Sequence, residues 1–163
     1  MLFADTHLLF VCGEICSGKG TFCRSIANYY DHIVVSDIVK EISGTSHRSQ
    51  LTKTDSLDMQ IADALIQRID QTFLNGRRVA IDGIRQLSIY NRLKSEYSDI
   101  DMQAVWLNVP WYILRQRYAA RADSKDDITF THAMKKDAAL GLTQLRERII
   151  NEPNNITLNH FEK

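Results

Sequence analysis

The stretch Phe10–Phe22, FVCGEICSGKGTF, constrains the fold more than any other part of the chain. It overlaps a continuous apolar run, Leu8–Cys12, the mark of a strand buried on both faces, as in parallel sheets. Gly13 follows, then four residues, then Gly18 and Lys19, with a helix expected from about Thr21. A strand passing through such a turn into a helix is the context of a phosphate-binding loop. The glycines let backbone N–H groups converge on phosphate oxygens with no Cβ in the way. The helix N-terminus adds partial positive charge, and Lys19 can reach the terminal phosphates. The residue directly after the lysine is Gly20, with Thr21 one step later. Glycine offers no side-chain oxygen to a metal, so this loop is not of the kind in which that position ligates Mg²⁺.

Further apolar runs lie at Ile33–Val35, Val79–Ile81, Ala104–Val109 and Ile156–Leu158. Helical periods separate them. Leu57, Ile61, Leu65, Ile69 and Phe73 recur at four-residue steps, and Asn75–Gly76 closes that helix. Leu87, Tyr90, Leu93 and Tyr97 form a second stripe, Leu114 and Tyr118 begin a third, and Leu142, Leu145 and Ile149 make a fourth. Alternating strands and helices predict an α/β fold: one P-loop domain, a three-layer α/β/α sandwich on a parallel five-stranded sheet. No repeat, low-complexity tract or linker interrupts it. Ser43–Thr54 and Ala122–Thr131 read as polar loops.

A chain of 163 residues is long enough for one full core and short for two. Twenty basic residues balance twenty acidic ones, so no long-range field draws nucleic acid or anionic membrane. Nucleic acid is therefore not the favoured partner, although Arg77, Arg78, Arg115 and Arg117 could form a local patch. No apolar run is long enough to span a bilayer, no basic leader precedes the first one, and a cytoplasmic location is the expectation. Cys12, Cys16 and Cys23 crowd together with no Cys or His at ligand spacing, and they read as reduced structural thiols. Trp106 reads as core and Trp111 as packing.

The sequence GKGT, Gly18–Thr21, resembles the loop of adenylate kinases and related nucleoside monophosphate kinases. Downstream, VAIDGIR (Val79–Arg85) is similar to the strand-end element of those kinases, VVSDIVKE (Val34–Glu41) falls where they bind the acceptor, and LRQRYAAR (Leu114–Arg121) resembles their lid. The similarity runs from Leu8 to about Asn159 and also touches kinases of dephospho-coenzyme A and phage deoxynucleotides. It implies a single kinase domain over 1–163, with an acceptor-binding insertion at about 37–75 and a lid at about 115–137. It implies ATP and Mg²⁺ as cofactors. Gly13, Glu14, Ile15, Cys16, Ser17, Gly18, Lys19, Gly20, Thr21 and Phe22 would cradle the nucleotide, with Arg117 and Asn159. Asp82, through water, and Thr21 would serve the metal. Asp37, Lys40, Asp82 and Arg85 would face the substrate. Lys19, Asp37, Arg85, Arg117 and Arg121 would carry catalysis.

The implied activity is ATP-dependent phosphoryl transfer to a small nucleotide, first a (deoxy)nucleoside monophosphate. Two alternatives stand beside it. The acceptor could be a hydroxyl, on a dephospho-coenzyme A-like molecule, a nucleoside or a nucleic acid, with Asp37 as its general base. The chain could also be a regulatory module that binds nucleotide without turnover.

Overall fold

The computed structural model describes residues 3–44, 55–121 and 127–159. Among the described residues there are five strands, β1 (Leu8–Gly13), β2 (Tyr30–Val34), β3 (Arg78–Asp82), β4 (Met102–Asn108) and β5 (Ile156–Asn159). Seven helices are described with them: α1 (Lys19–Ser25), α2 (Val35–Ser43), α3 (Asp55–Leu74), α4 (Leu87–Glu96), α5 (Trp111–Ala120), α6 (Phe130–Leu140) and α7 (Leu142–Asn151). The strands form one sheet in the order β2-β3-β1-β4-β5, every pairing parallel. The expected single α/β domain with a five-stranded parallel sheet is what the chain adopts.

Strand β1 sits at the centre and all six of its residues are buried. Its alternation divides the core in two. Leu8, Phe10 and Cys12 face Ile61, Leu65 and Ile69 of α3, Leu93 of α4 and Leu145 of α7. Leu9 and Val11 face the other way, onto Phe22 and Cys23 of α1, with Phe3 and Tyr30. A strand covered on both faces needs apolar residues at every position, which is why the sequence shows a run instead of alternation.

Element edges differ from the sequence reading by a few residues. Val35, taken as strand, opens α2. Tyr30, Asp31 and His32 extend β2 backwards, and α1 begins at Lys19, not Thr21. The long periodic helix ends as expected, with Gly76 left-handed at φ 72°. Trp111 is corrected outright: it is 62% exposed beside exposed Tyr112, and does not pack into the core. Most of Ser43–Thr54 and Ala122–Thr131 lies outside the described residues, but α6 already starts at Phe130. Among the described residues, no helix is long and apolar enough to cross a membrane.

Candidate active site

The loop from Gly13 to Gly18 joins the carboxyl end of central strand β1 to the first turn of α1. Helix α1 has no side-chain cap at its N-terminus, and Gly18, its N-cap, is left-handed at φ 96°. Its first amides are thus available to an anion. Gly13 is required for a different reason. A Cβ there would lie 2.5 Å from Ser17 Oγ and 3.1 Å from the Leu107 carbonyl oxygen, so any side chain would push the loop off β4. Cys16 is the one non-glycine at positive φ (61°) among the described residues, and it sits at the crest of the loop. Strain of this sort, held by surrounding structure, collects at ligand sites.

Lys19 folds back over the loop, its Nζ donating to the carbonyls of Gly13 (3.1 Å) and Glu14 (2.8 Å). Burial lowers its pKa, while the nearby carboxylates of Asp82 and Asp137 pull the other way. Ser17 is fully buried, and its hydroxyl has no hydrogen-bond partner among the described residues. An orphaned hydroxyl, uncapped helix amides and a half-buried ammonium together form a donor set that phosphate oxygens would satisfy. The residues present therefore fit the phosphate chain of a nucleoside triphosphate.

Asp82, at the end of β3, lies beside the same helix turn. Its Oδ2 is 3.0 Å from His32 Nε2 and 3.7 Å from where a Cβ on Gly20 would lie. The absence of a side chain at Gly20 leaves this carboxylate close to α1, suited to a hydrated cation beside the phosphates. Thr21 Oγ1 instead accepts from Arg24 Nη2 at 3.1 Å.

The lid arginines expected from their four-residue spacing both reach the loop. Arg117 donates from Nη1 to the Cys16 carbonyl at 3.2 Å, and Arg121 Nη1 lies 3.4 Å from Cys16 Sγ. Arg85 goes elsewhere: its Nη1 bonds Asp137 Oδ1 at 2.9 Å, with side chains 16% and 3% exposed. Asn159 accepts from Asn108 Nδ2 at 2.9 Å across the β4–β5 pair. Of the residues expected to face an acceptor, Asp37 lies in the first turn of α2 and Lys40 is exposed in its last turn. On α3, Asp58 is buried; its Oδ2 accepts from Ser88 at 2.6 Å and its Oδ1 has no partner among the described residues. It lines a cavity of about 200 Å³ with Asp55, Met59, Ala62, Ser88 and Arg92.

Sequence reasoning missed His32 and Asp137. A histidine in an edge strand and an aspartate within a helix carry no local signal. Only the register His32↔Ala80 and Val34↔Asp82, and the packing of α6, bring them to the site.

Residues 9–141 match a family model described as an AAA domain. No curated protein matches the chain in sequence. Among solved structures, a sugar kinase from Janibacter sp. HTCC2649 is similar with TM-score 0.63 and 16% identity, over 95% of this chain and 84% of that one. A gluconokinase from Sinorhizobium meliloti 1021 gives TM-score 0.62 and 17% identity, over 98% and 85%. A chain of the Pnkp1/Rnl/Hen1 RNA repair complex gives 0.64 and 17%, over 88% of this chain and 46%, less than half, of that one. The family match spans most of the sequence, and the whole architecture recurs in these kinases. The chain therefore belongs to the AAA-domain family and has the P-loop kinase fold.

Proposed function

We propose that this protein transfers the terminal phosphoryl group of ATP to a small acceptor, a (deoxy)nucleoside monophosphate. The observation that carries the reading is the convergence on one loop of half-buried Lys19, orphaned Ser17 and both lid arginines, with Asp82 alongside. Phosphoryl transfer is mostly positioning and charge neutralisation, and this is a set built for both. Mg²⁺, when bound with the nucleotide, supplies further neutralisation of phosphate charge. Lys19 would exchange its two carbonyl contacts for phosphate oxygens, and Ser17 would gain the acceptor it lacks. Arg117 and Arg121 would turn from Cys16 toward the moving group, closing α5 over it and excluding water. Asp82 would hold the hydrated cation in place.

The monophosphate choice rests on the resemblance of GKGT, DGIR and the paired lid arginines. One observation favours a hydroxyl acceptor instead. Arg85, the expected holder of an acceptor phosphate, is already neutralised by Asp137. A hydroxyl acceptor leaves that pair intact and needs only a carboxylate to take its proton, a role for which Asp37, in the first turn of α2, is the candidate. The names of the similar sugar kinase and gluconokinase point the same way. The deciding experiment follows ADP release with ATP, Mg²⁺ and a panel of monophosphates, nucleosides, dephospho-coenzyme A and sugar acids. Turnover with a monophosphate supports the proposal. Turnover confined to hydroxyl acceptors replaces it with the second reading, and nucleotide binding without transfer to any acceptor overturns both.

A further inference from the structure

We propose that Cys23, His32 and Asp82 form a binding site for a thiophilic divalent cation, of which zinc is the natural representative, beneath the phosphate loop. One ligand atom from each of the three lies within 4.8 Å of the other two, and His32 Nε2 is 3.0 Å from Asp82 Oδ2. Zinc holds sulfur, nitrogen and oxygen ligands at about 2.0–2.3 Å in a tetrahedron, which places ligand atoms roughly 3.5 Å apart. The widest pair therefore needs a contraction of at most about 1.3 Å and the His32–Asp82 pair an opening of about 0.5 Å, both within reach of side-chain torsions.

The three ligands come from three elements that the fold fixes relative to one another. Cys23 lies on α1, His32 on β2 and Asp82 on β3, with β2 and β3 in register across Ile33↔Ile81 and Val34↔Asp82. Cys23 is buried at 1% exposure, whereas the His32 and Asp82 side chains are 25% and 11% exposed. The site thus has a closed thiol end and an open imidazole end, where an ion could enter and a water could complete four-coordination. The choice of ion follows from the ligands. Mg²⁺ takes oxygen ligands at octahedral geometry and has no use for a thiol, while a borderline-soft ion takes thiolate, imidazole and carboxylate together.

Charge balance supports the same ion. On binding, the metal–sulfur bond replaces the S–H bond and one proton leaves to solvent. His32 binds neutral through a ring nitrogen and Asp82 as carboxylate. A dication with one thiolate and one carboxylate is neutral, so it meets no net repulsion from Lys19 and Arg24 nearby. One consequence rests on the kinase reading above: zinc bound here engages the carboxylate that the nucleotide's Mg²⁺ would use, and so inhibits transfer.

The test uses the full chain, stripped of metal with a chelator and titrated with Co²⁺ in the absence of nucleotide. The expected result is one equivalent bound, with a thiolate-to-cobalt charge-transfer band and tetrahedral d–d absorption, both abolished by zinc. Cys16→Ser should keep the band, Cys23→Ser should lose it, and His32→Asn should weaken Co²⁺ affinity tenfold or more. The far-ultraviolet circular dichroism of each variant reports its folding. If Cys23→Ser fails to fold, His32→Asn decides through affinity. Absence of a thiolate band at stoichiometric Co²⁺, or a band that disappears in Cys16→Ser and persists in Cys23→Ser, would overturn the site. So would unchanged affinity in His32→Asn. Because the readout is spectroscopic, it stands whether or not phosphoryl transfer is found; zinc inhibition of an observed transfer, relieved in Cys23→Ser, tests the consequence separately.

Discussion

Ser17 and Lys19 sit side by side in the loop and should respond to substitution in opposite ways. The Ser17 hydroxyl is fully buried without a partner among the described residues, a state that costs about 1–3 kcal/mol. Ser17→Ala should therefore stabilise the nucleotide-free protein by about 1 kcal/mol. It should also weaken ATP binding, because the orphan would otherwise be satisfied by phosphate. Thermal melts with and without ATP check both signs at once; a loss of stability without ATP would show the hydroxyl already satisfied. Lys19→Ala should leave the fold intact and abolish transfer, since among the described residues Nζ donates to carbonyls of its own loop and takes no part in the core. Wild-type turnover in that variant would end the kinase reading. Arg117→Ala and Arg121→Ala should lower turnover more than ATP affinity, one transition-state donor being worth about 3–4 kcal/mol. Equal turnover in both variants and wild type would leave the two arginines as loop supports.

At the scale of elements, Glu152 holds together the packing of α4 and α7 behind the sheet. Its carboxylate accepts from Tyr90 Oη (2.8 Å), Lys94 Nζ (2.9 Å), Arg148 Nε (2.6 Å) and Asn155 Nδ2 (2.9 Å). Burial works to raise its pKa, yet the bonds from Lys94, Arg148 and Tyr90 outweigh it and bring the value down to about 2. A carboxylate with a lowered native pKa stabilises the fold above its unfolded value, near 4.5, and loses that contribution as pH falls toward 2. Glu152→Gln should thus lower the melting temperature at pH 7, by an amount equivalent to about 1–2 kcal/mol, and the gap should close in acid. A gap independent of pH would assign the loss to packing. Gly141 joins α6 to α7 at φ 114°, and a Cβ there would lie 3.6–3.7 Å from the backbone of Arg85, Gln86 and Leu87. The strain of a side chain at that φ, more than lack of space, is what excludes other residues.

Across the whole molecule, the Arg85–Asp137 pair ties α6 to the segment that follows β3. Removing one partner of a buried pair leaves the other charge uncompensated, at a cost of about 3–5 kcal/mol. Asp137→Asn should therefore destabilise the protein markedly. If the pair is a fixed tether, Arg85→Lys should lower the melting temperature and spare the acceptor KM. If Arg85 leaves Asp137 to hold an acceptor phosphate, the same change should raise that KM. Asp37→Asn addresses the same question from the other side. A monophosphate needs no proton removed, so single-turnover transfer should fall little, whereas a hydroxyl acceptor should slow by ~10²–10⁴-fold at unchanged ATP affinity.

The sequence by itself determined the parts in which chemistry is written locally. An apolar run, two spaced glycines and a lysine define a strand, a phosphate loop and a helix within a dozen residues. Alternating runs and periods gave all five strands to within a few residues. Arg117 and Arg121 could be paired because four residues on one helix share a face. Sequence is silent where meaning depends on what lies opposite. Nothing local reveals that Arg85 meets Asp137, fifty-two positions away and 2.9 Å distant. Nor does anything local show that the Asn159 side-chain carbonyl accepts from Asn108. Cys23 had no metal-ligand partner at any spacing, because His32 and Asp82 reach it through parallel strand pairing rather than through the chain. In a parallel sheet, neighbouring strands are separated by whole helices, so side chains that meet at their carboxyl ends are remote in sequence. The scaffold is therefore legible from local pattern, and the partners within the site only from the tertiary fold.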